Sequence, residues 1–147
     1  MKNLIIYLFI IISIGCKEEE KEPVDNNIIY ECVGASFYYL DNQSNKNFSI
    51  EFKAPILNKQ IDTATVINVN QRVLIGQDAS FGSIPSPTNT FSSFSLSTST
   101  AGKKTIIYRQ DPVQNTLWVK RKHNATDPDA GCQKVDYTLT ITDDSFR

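Results

Sequence analysis

One histidine, His123, one tryptophan, Trp118, and three cysteines, Cys16, Cys32 and Cys132, are the scarce reactive side chains in a chain of 147 residues. A single imidazole permits a Ser-His-Asp arrangement, in which the ring takes the serine proton, but no local pattern sets His123 beside a particular serine. The Gly-x-Ser-x-Gly elbow is absent, because Gly34-Ala35-Ser36-Phe37-Tyr38 departs from it at the last position. Asp127-Pro128-Asp129-Ala130-Gly131 begins like a calcium loop but lacks the distal bidentate glutamate, so turn chemistry explains it. These residues imply neither a metal nor a cofactor. Binding without catalysis is the simpler expectation.

Trp118 is the best candidate for such binding. Alternation through Thr116 to Lys122 puts Leu117 and Val119 on one face and Trp118, Lys120 and Lys122 on the other. A strand dry on its Leu/Val side exposes the indole among lysines, a platform for a sugar ring, an anionic group or a protein partner. Tyr38 and Tyr108 are weaker members of the same surface. The opposite assignment puts Trp118 in the core and turns Leu117 and Val119 toward a second layer or a loop.

The amino terminus sets the location. Lys2 precedes an apolar run, Leu4 to Ile12. That run is far shorter than the roughly 20 residues of a spanning helix and lies in the range of a secretory signal. Ser13-Ile14-Gly15-Cys16 then resembles the lipobox of bacterial lipoproteins, with Ser13 where the common pattern has Leu. The resemblance implies cleavage before Cys16 and a diacylglyceryl group on its thiol. At about 0.8 kcal/mol per buried methylene, two or more acyl chains hold a protein to a membrane where one does not.

Lys17-Glu18-Glu19-Glu20-Lys21-Glu22 cannot pack and is expected to stay solvated as a tether. Its position after the cysteine also resembles the surface-export signal of Bacteroidota lipoproteins, which implies the outer face of the outer membrane. An ordinary acidic spacer on the periplasmic face is the alternative. The organisation is then a signal peptide over 1–15, lipidated Cys16 and tether over 16–27, and one domain over 28–147. Roughly 120 residues suffice for a real core. A formal net charge of −1 gives no electrostatic footprint for nucleic acid.

The elements that must position any site are strands. Ile28 to Leu40 is aromatic and β-branched, and Phe48, Ile50 and Phe52 alternate with Ser49 and Glu51. Polar Asp41 to Asn45 between them predicts a hairpin. Ile61 to Ile75 is a long β-branched stretch with a break at Asn68 to Gln71. Gly76 to Thr90 reads as a long loop, either functional or merely floppy. Phe94 and Leu96 resume alternation, Ser97 to Lys103 reads as a small-residue loop, and Asp111-Pro112-Val113-Gln114 predicts a second hairpin joining Lys104–Gln110 to Thr116–Lys122. Val135, Tyr137, Leu139 and Ile141 share one face of a last strand. No stretch carries a helical period, so the fold class is all-β: about seven antiparallel strands in a sandwich or flattened barrel.

Cys32 falls in the first expected strand and Cys132 just before the last, in an exported chain, where thiols are oxidised. A bridge between them closes a loop of about 100 residues and contributes roughly 4.7 kcal/mol in the chain-entropy model. Free thiols or a metal site are the alternatives, with only His123 as imidazole and no Cys-x-x-Cys spacing. Asp62-Thr63-Ala64 resembles the short O-glycosylation sequence of exported Bacteroidota proteins, which implies Thr63 as acceptor.

A second resemblance rests on Tyr30-Glu31-Cys32, the Ser97 to Gly102 segment, Leu117-Trp118-Val119-Lys120 and Cys132. In outline these are similar to the membrane-bound lysozyme inhibitors, small lipoproteins with a disulfide-closed β-barrel. The likeness implies that Ser99 and Lys120 enter an enzyme's acidic cleft. Arg121 stands where that family has Gly, and a strand follows Cys132. Three classes follow: a recognition module for glycan, peptide or protein, an inhibitor of an attacking hydrolase, and a secreted hydrolase. A protruding Ser97–Gly102 loop beside Lys120 favours the inhibitor. Convergence of His123 with a serine and a carboxylate favours the enzyme, and an open patch at Trp118 favours recognition.

Overall fold

Branched and aromatic residues alternating with short polar ones pair through their backbones and bury one face, and two such sheets stack here into a sandwich. A computed structural model describes residues 33–54, 57, 59–60, 65–124 and 133–146. One sheet holds β1 (Val33–Asn42), β3 (Lys59–Gln60), β5 (Arg72–Phe81), β8 (Val119–Lys122) and β9 (Lys134–Ile141) in the order β3-β5-β1-β9-β8. The other holds β2 (Phe48–Lys53), β4 (Val66–Ile67), β6 (Ser93–Thr100) and β7 (Lys103–Gln110) in the order β4-β2-β6-β7. The all-β sandwich is the predicted class. The expected antiparallel arrangement is corrected at one place among the described residues, where β1 lies parallel beside β9, from Ala35 opposite Lys134 to Asn42 opposite Ile141.

Alternation decides which side chains meet between the sheets. Val135, Tyr137, Leu139 and Ile141 of β9 are all buried, as are Phe48 and Ile50 of β2 and Phe94 and Leu96 of β6. The predicted break near Asn68–Gln71 is also present, as the turn between β4 and β5, with Asn70 at a φ of 61°.

Three connections differ from expectation. The first expected hairpin does not form, because β1 pairs β5 and β9 while β2 pairs β4 and β6. The buried Asn42 amide at the end of β1 donates to the Lys46 and Asn68 carbonyls at 2.8 and 3.0 Å, fixing the crossing between sheets. The second fails likewise, since β7 and β8 lie in different sheets. Side-chain amides and cross-sheet burial override local turn chemistry at both places.

The third difference is in the loops. Gly76 to Phe81 continue β5, and only Gly82 to Ser86 and the single helical turn α1 (Pro87–Thr90) lie outside the ladder. Ser97 to Thr100 belong to β6, and the turn shrinks to Ala101-Gly102, with φ values of 51° and 77°. Positive φ at both central residues is what a two-residue type I′ hairpin needs, and Gly102 supplies it without strain.

A buried polar chain fastens the 82–90 segment to β1 and β5. Tyr38 donates to Thr90 Oγ1 at 2.6 Å, Thr90 donates to Asp78 Oδ2 at 2.6 Å, and the Ala79 amide donates to Asp78 Oδ1 at 2.8 Å. Ser36 Oγ donates to the Pro85 carbonyl at 2.5 Å. Gly34 lets the strap lie flat, since a Cβ there would stand 2.1 Å from the Ser83 carbonyl oxygen.

Candidate functional site

On the outer face of the second sheet, β6 carries only hydroxymethyl groups. Phe94 and Leu96 point inward, so Ser93, Ser95 and Ser97 point outward between β2 and β7. The register aligns them in rows: Lys53 beside Ser93, then Glu51, Ser95 and Arg109, then Ser49, Ser97 and Ile106. Rows lie roughly 7 Å apart along the strands. Short residues on the central strand and long ones on its neighbours make a trough.

Two cavities open over this floor. One, of about 220 Å³, runs from Lys53 across Ser93 and Ser95 to Ile106, Arg109 and Asp111. The other, of about 350 Å³, lies over Glu51, Phe52, Lys53, Ser93 and Ser95. Lys104 reaches diagonally from β7 to pair with Glu51, and Arg109 pairs with Asp111. Ser97 lies buried between the strands these groups come from, so the open floor is Ser93 and Ser95.

The floor is held from beneath. Phe94 meets Trp118 and Tyr108 edge-on at 5.9 and 6.4 Å between centroids, and Phe91 stacks on Trp118 at 5.8 Å. A site on a packed strand keeps its geometry better than one on a loop. Sequence reasoning missed Lys53, Ser93, Ser95 and Arg109. The serines at every second position, with Phe94 and Leu96 between, carried the signal, but only the apolar members of that alternation were used.

No family model and no curated protein matches this chain.

The residues singled out from sequence are dispersed. Trp118 is 5% exposed, among Tyr38, Phe91 and Phe94, so it is a core residue and no open platform exists. Leu117 and Val119 are instead 46% and 68% exposed. The assignment of Trp118 to the core therefore stands, while the expected strand over Thr116–Lys122 is corrected: Asn115–Leu117 is a 3-10 turn, β8 starts at Val119, and as an edge strand it leaves Val119 uncovered by any second layer. Lys120 and Lys122 follow Trp118 onto the inner-face side, opposite Tyr137 and Val135, and extend past the rim to solvent. The Lys120 ammonium lies 5.8 Å from the Tyr137 ring centre. Inward-pointing lysines on an edge discourage pairing with another chain, which accounts for both without a ligand.

Tyr108 is half-buried and accepts from Gln110 Nε2 at 2.6 Å, and burial raises its phenol pKa above the ordinary value. Tyr38 is fully buried. Ser99 is exposed opposite Lys104 in β6, and Lys120 belongs to the other sheet, so no protruding 97–102 loop presents the pair. Cys16, Cys32, Cys132, Thr63 and the Asp127–Gly131 segment lie outside the described residues.

His123 has found a carboxylate. Its Nε2 lies 2.8 Å from Asp136 Oδ1, and Arg121 Nη2 lies 3.1 Å from Asp136 Oδ2 on the outer face of the first sheet. Phe37 stacks against the imidazole at 6.1 Å, and Nδ1 is buried without a hydrogen-bond partner. Two members of a triad therefore meet. Among the described residues no serine hydrogen-bonds the ring, and the pair ties the end of β8 to β9.

Proposed function

We propose that this protein is a lipid-anchored cell-envelope lipoprotein whose β-sandwich binds a ligand without chemically altering it, and that the trough on β2, β6 and β7 is the binding surface. The observation that carries the binding role is the convergence of Lys53, Ser93, Ser95 and Arg109 on one cavity, over a floor fixed by the aromatic core. The apolar run ending in Gly15-Cys16 supports the anchor, and the acidic run after it supports display on the outer face. An inter-strand bridge between Cys32 and Cys132 belongs to the same reading. It is supported by the parallel pairing of the strands that follow each cysteine, where the Ala35 amide donates to the Gln133 carbonyl at 3.2 Å.

Hydrogen exchange tests the binding role. Polysaccharide and peptide fractions of cell-envelope material are presented in turn to the full chain. One fraction is expected to slow exchange in Glu51–Lys53, Ser93–Ser97 and Ile106–Arg109, and to be recovered with its mass unchanged. Protection confined to the first sheet, or a ligand returned cleaved, would refute the reading.

A further inference from the structure

From the same trough we infer the class of ligand: an acidic oligosaccharide, held by its hydroxyls on the serine floor and by its anionic group at Lys53. This rests on the trough being the binding surface.

Backbone recognition is closed off on the floor of this site. β6 is bonded to β2 on one side and β7 on the other, so its amides and carbonyls are spent in the ladders. An extended peptide gains its affinity by adding to a sheet edge, and the floor of the trough offers none. Recognition on the floor has to come from side chains, while the sheet's edge, β7, stands at the wall that carries Ile106 and Arg109.

Those side chains fit a polyhydroxylated ligand. Ser93 and Ser95 are each donor and acceptor, as a sugar hydroxyl is, so either partner can supply the proton. The walls are ion pairs, Lys104 with Glu51 and Arg109 with Asp111. Their charges offset one another, and N–H donors and carboxylate lone pairs not used within a pair can bind neutral hydroxyls. Ile106, 54% exposed at one wall, offers the apolar contact that a ring's C–H face requires.

One charge is left over. Lys53 lines both cavities, and among the described residues its ammonium has no acidic partner. Glu51 is taken up by Lys104, which reaches in from outside the cavity lining, and Asp111 by Arg109, so the Lys53 ammonium is the charge that a carboxylate or sulfate on the sugar would complement. The trough is shallow and open, so specificity rests on placement more than on burial.

The test uses the full chain in detergent and three probes: an oligogalacturonide, a neutral maltooligosaccharide of equal length, and poly-glutamate. Calorimetry is expected to show the oligogalacturonide binding at least tenfold tighter than either other probe. Lys53→Ala should cost tenfold or more, Lys53→Arg should retain most of the affinity, and Ser95→Leu, which fills the floor, should abolish binding. All three are surface changes, and an unaltered melting curve confirms that folding is intact. Poly-glutamate binding as tightly as the oligogalacturonide would show that charge alone is read, and absence of oligogalacturonide binding would equally overturn the inference. Binding of the neutral sugar or poly-glutamate that Ser95→Leu still abolishes would overturn the acidic-sugar class while leaving the trough as the binding surface. Binding that neither Lys53→Ala nor Ser95→Leu changes would overturn both.

Discussion

Replacing Trp118 by alanine is expected to destabilise the protein by about 3–5 kcal/mol, the usual cost of deleting a large aromatic from a packed core. The indole is wedged between Phe91, stacked at 5.8 Å, and the edges of Phe94 and Tyr38 at 5.9 and 6.0 Å. It therefore joins β1 and β8 of one sheet to the start of β6 in the other. Removing it leaves a void touching three rings that cannot all relax together, which corresponds to a melting temperature lower by roughly 10–20 °C. Trp118→Phe should recover much of the loss and remove the buried, unpartnered indole N–H as well. Thermal melts of the three proteins check this. A Trp118→Ala protein as stable as the parent would return the tryptophan to the surface role that its lysine neighbours suggest.

The second large effect is alkaline. Burial, the leading cause, pushes the Tyr38 phenol up to about 12, with the Asp78 carboxylate adding to the rise and the hydrogen-bonding hydroxyls of Thr90 and Ser36 opposing it. In the unfolded chain a tyrosine ionises near pH 10. Below pH 10 the group is protonated in both states and its contribution is constant. Between about pH 10 and 12 the folded state holds a proton that the unfolded state has released, so stability falls as pH rises, by roughly 2–3 kcal/mol in total. Above that window both states are ionised and the contribution is gone. Urea unfolding from pH 8 to 12 measures it, with Tyr38→Phe as control. The parent curve should drop more steeply than the control across that window. Parallel curves would mean that the phenol is not held neutral by its burial against the Thr90–Asp78 chain.

What the sequence makes legible here is what alternation encodes. The last strand announces itself because Val135, Tyr137, Leu139 and Ile141 are large, apolar and evenly spaced, and all four are core. The sandwich class follows from several such stretches. Strand partners are another matter. Polar turn residues after β1 and Asp111-Pro112 after β7 look like hairpins, yet both segments cross between sheets, because pairing is decided by which faces bury and not by the turn alone.

Sidedness fails at edges for a related reason. Trp118 and Lys120 share a face, and only their places relative to the sheet rim make one buried and the other wet. The trough was hidden in the same way. Ser93 and Ser95 are visible as an alternating polar set, but Lys53 and Arg109 join them only through strand order, which no local pattern contains.

The proposed anchoring at Cys16 would define where any such binding operates, and it is the claim open to the most direct measurement. Mature protein isolated from its native membrane is digested and its amino-terminal peptide weighed. A peptide beginning at Cys16 and carrying a diacylglyceryl mass, together with release of a Cys16→Ser protein from the membrane fraction, is the expected result. An unmodified amino-terminal peptide, or a Cys16→Ser protein that stays with the membrane, would contradict the account.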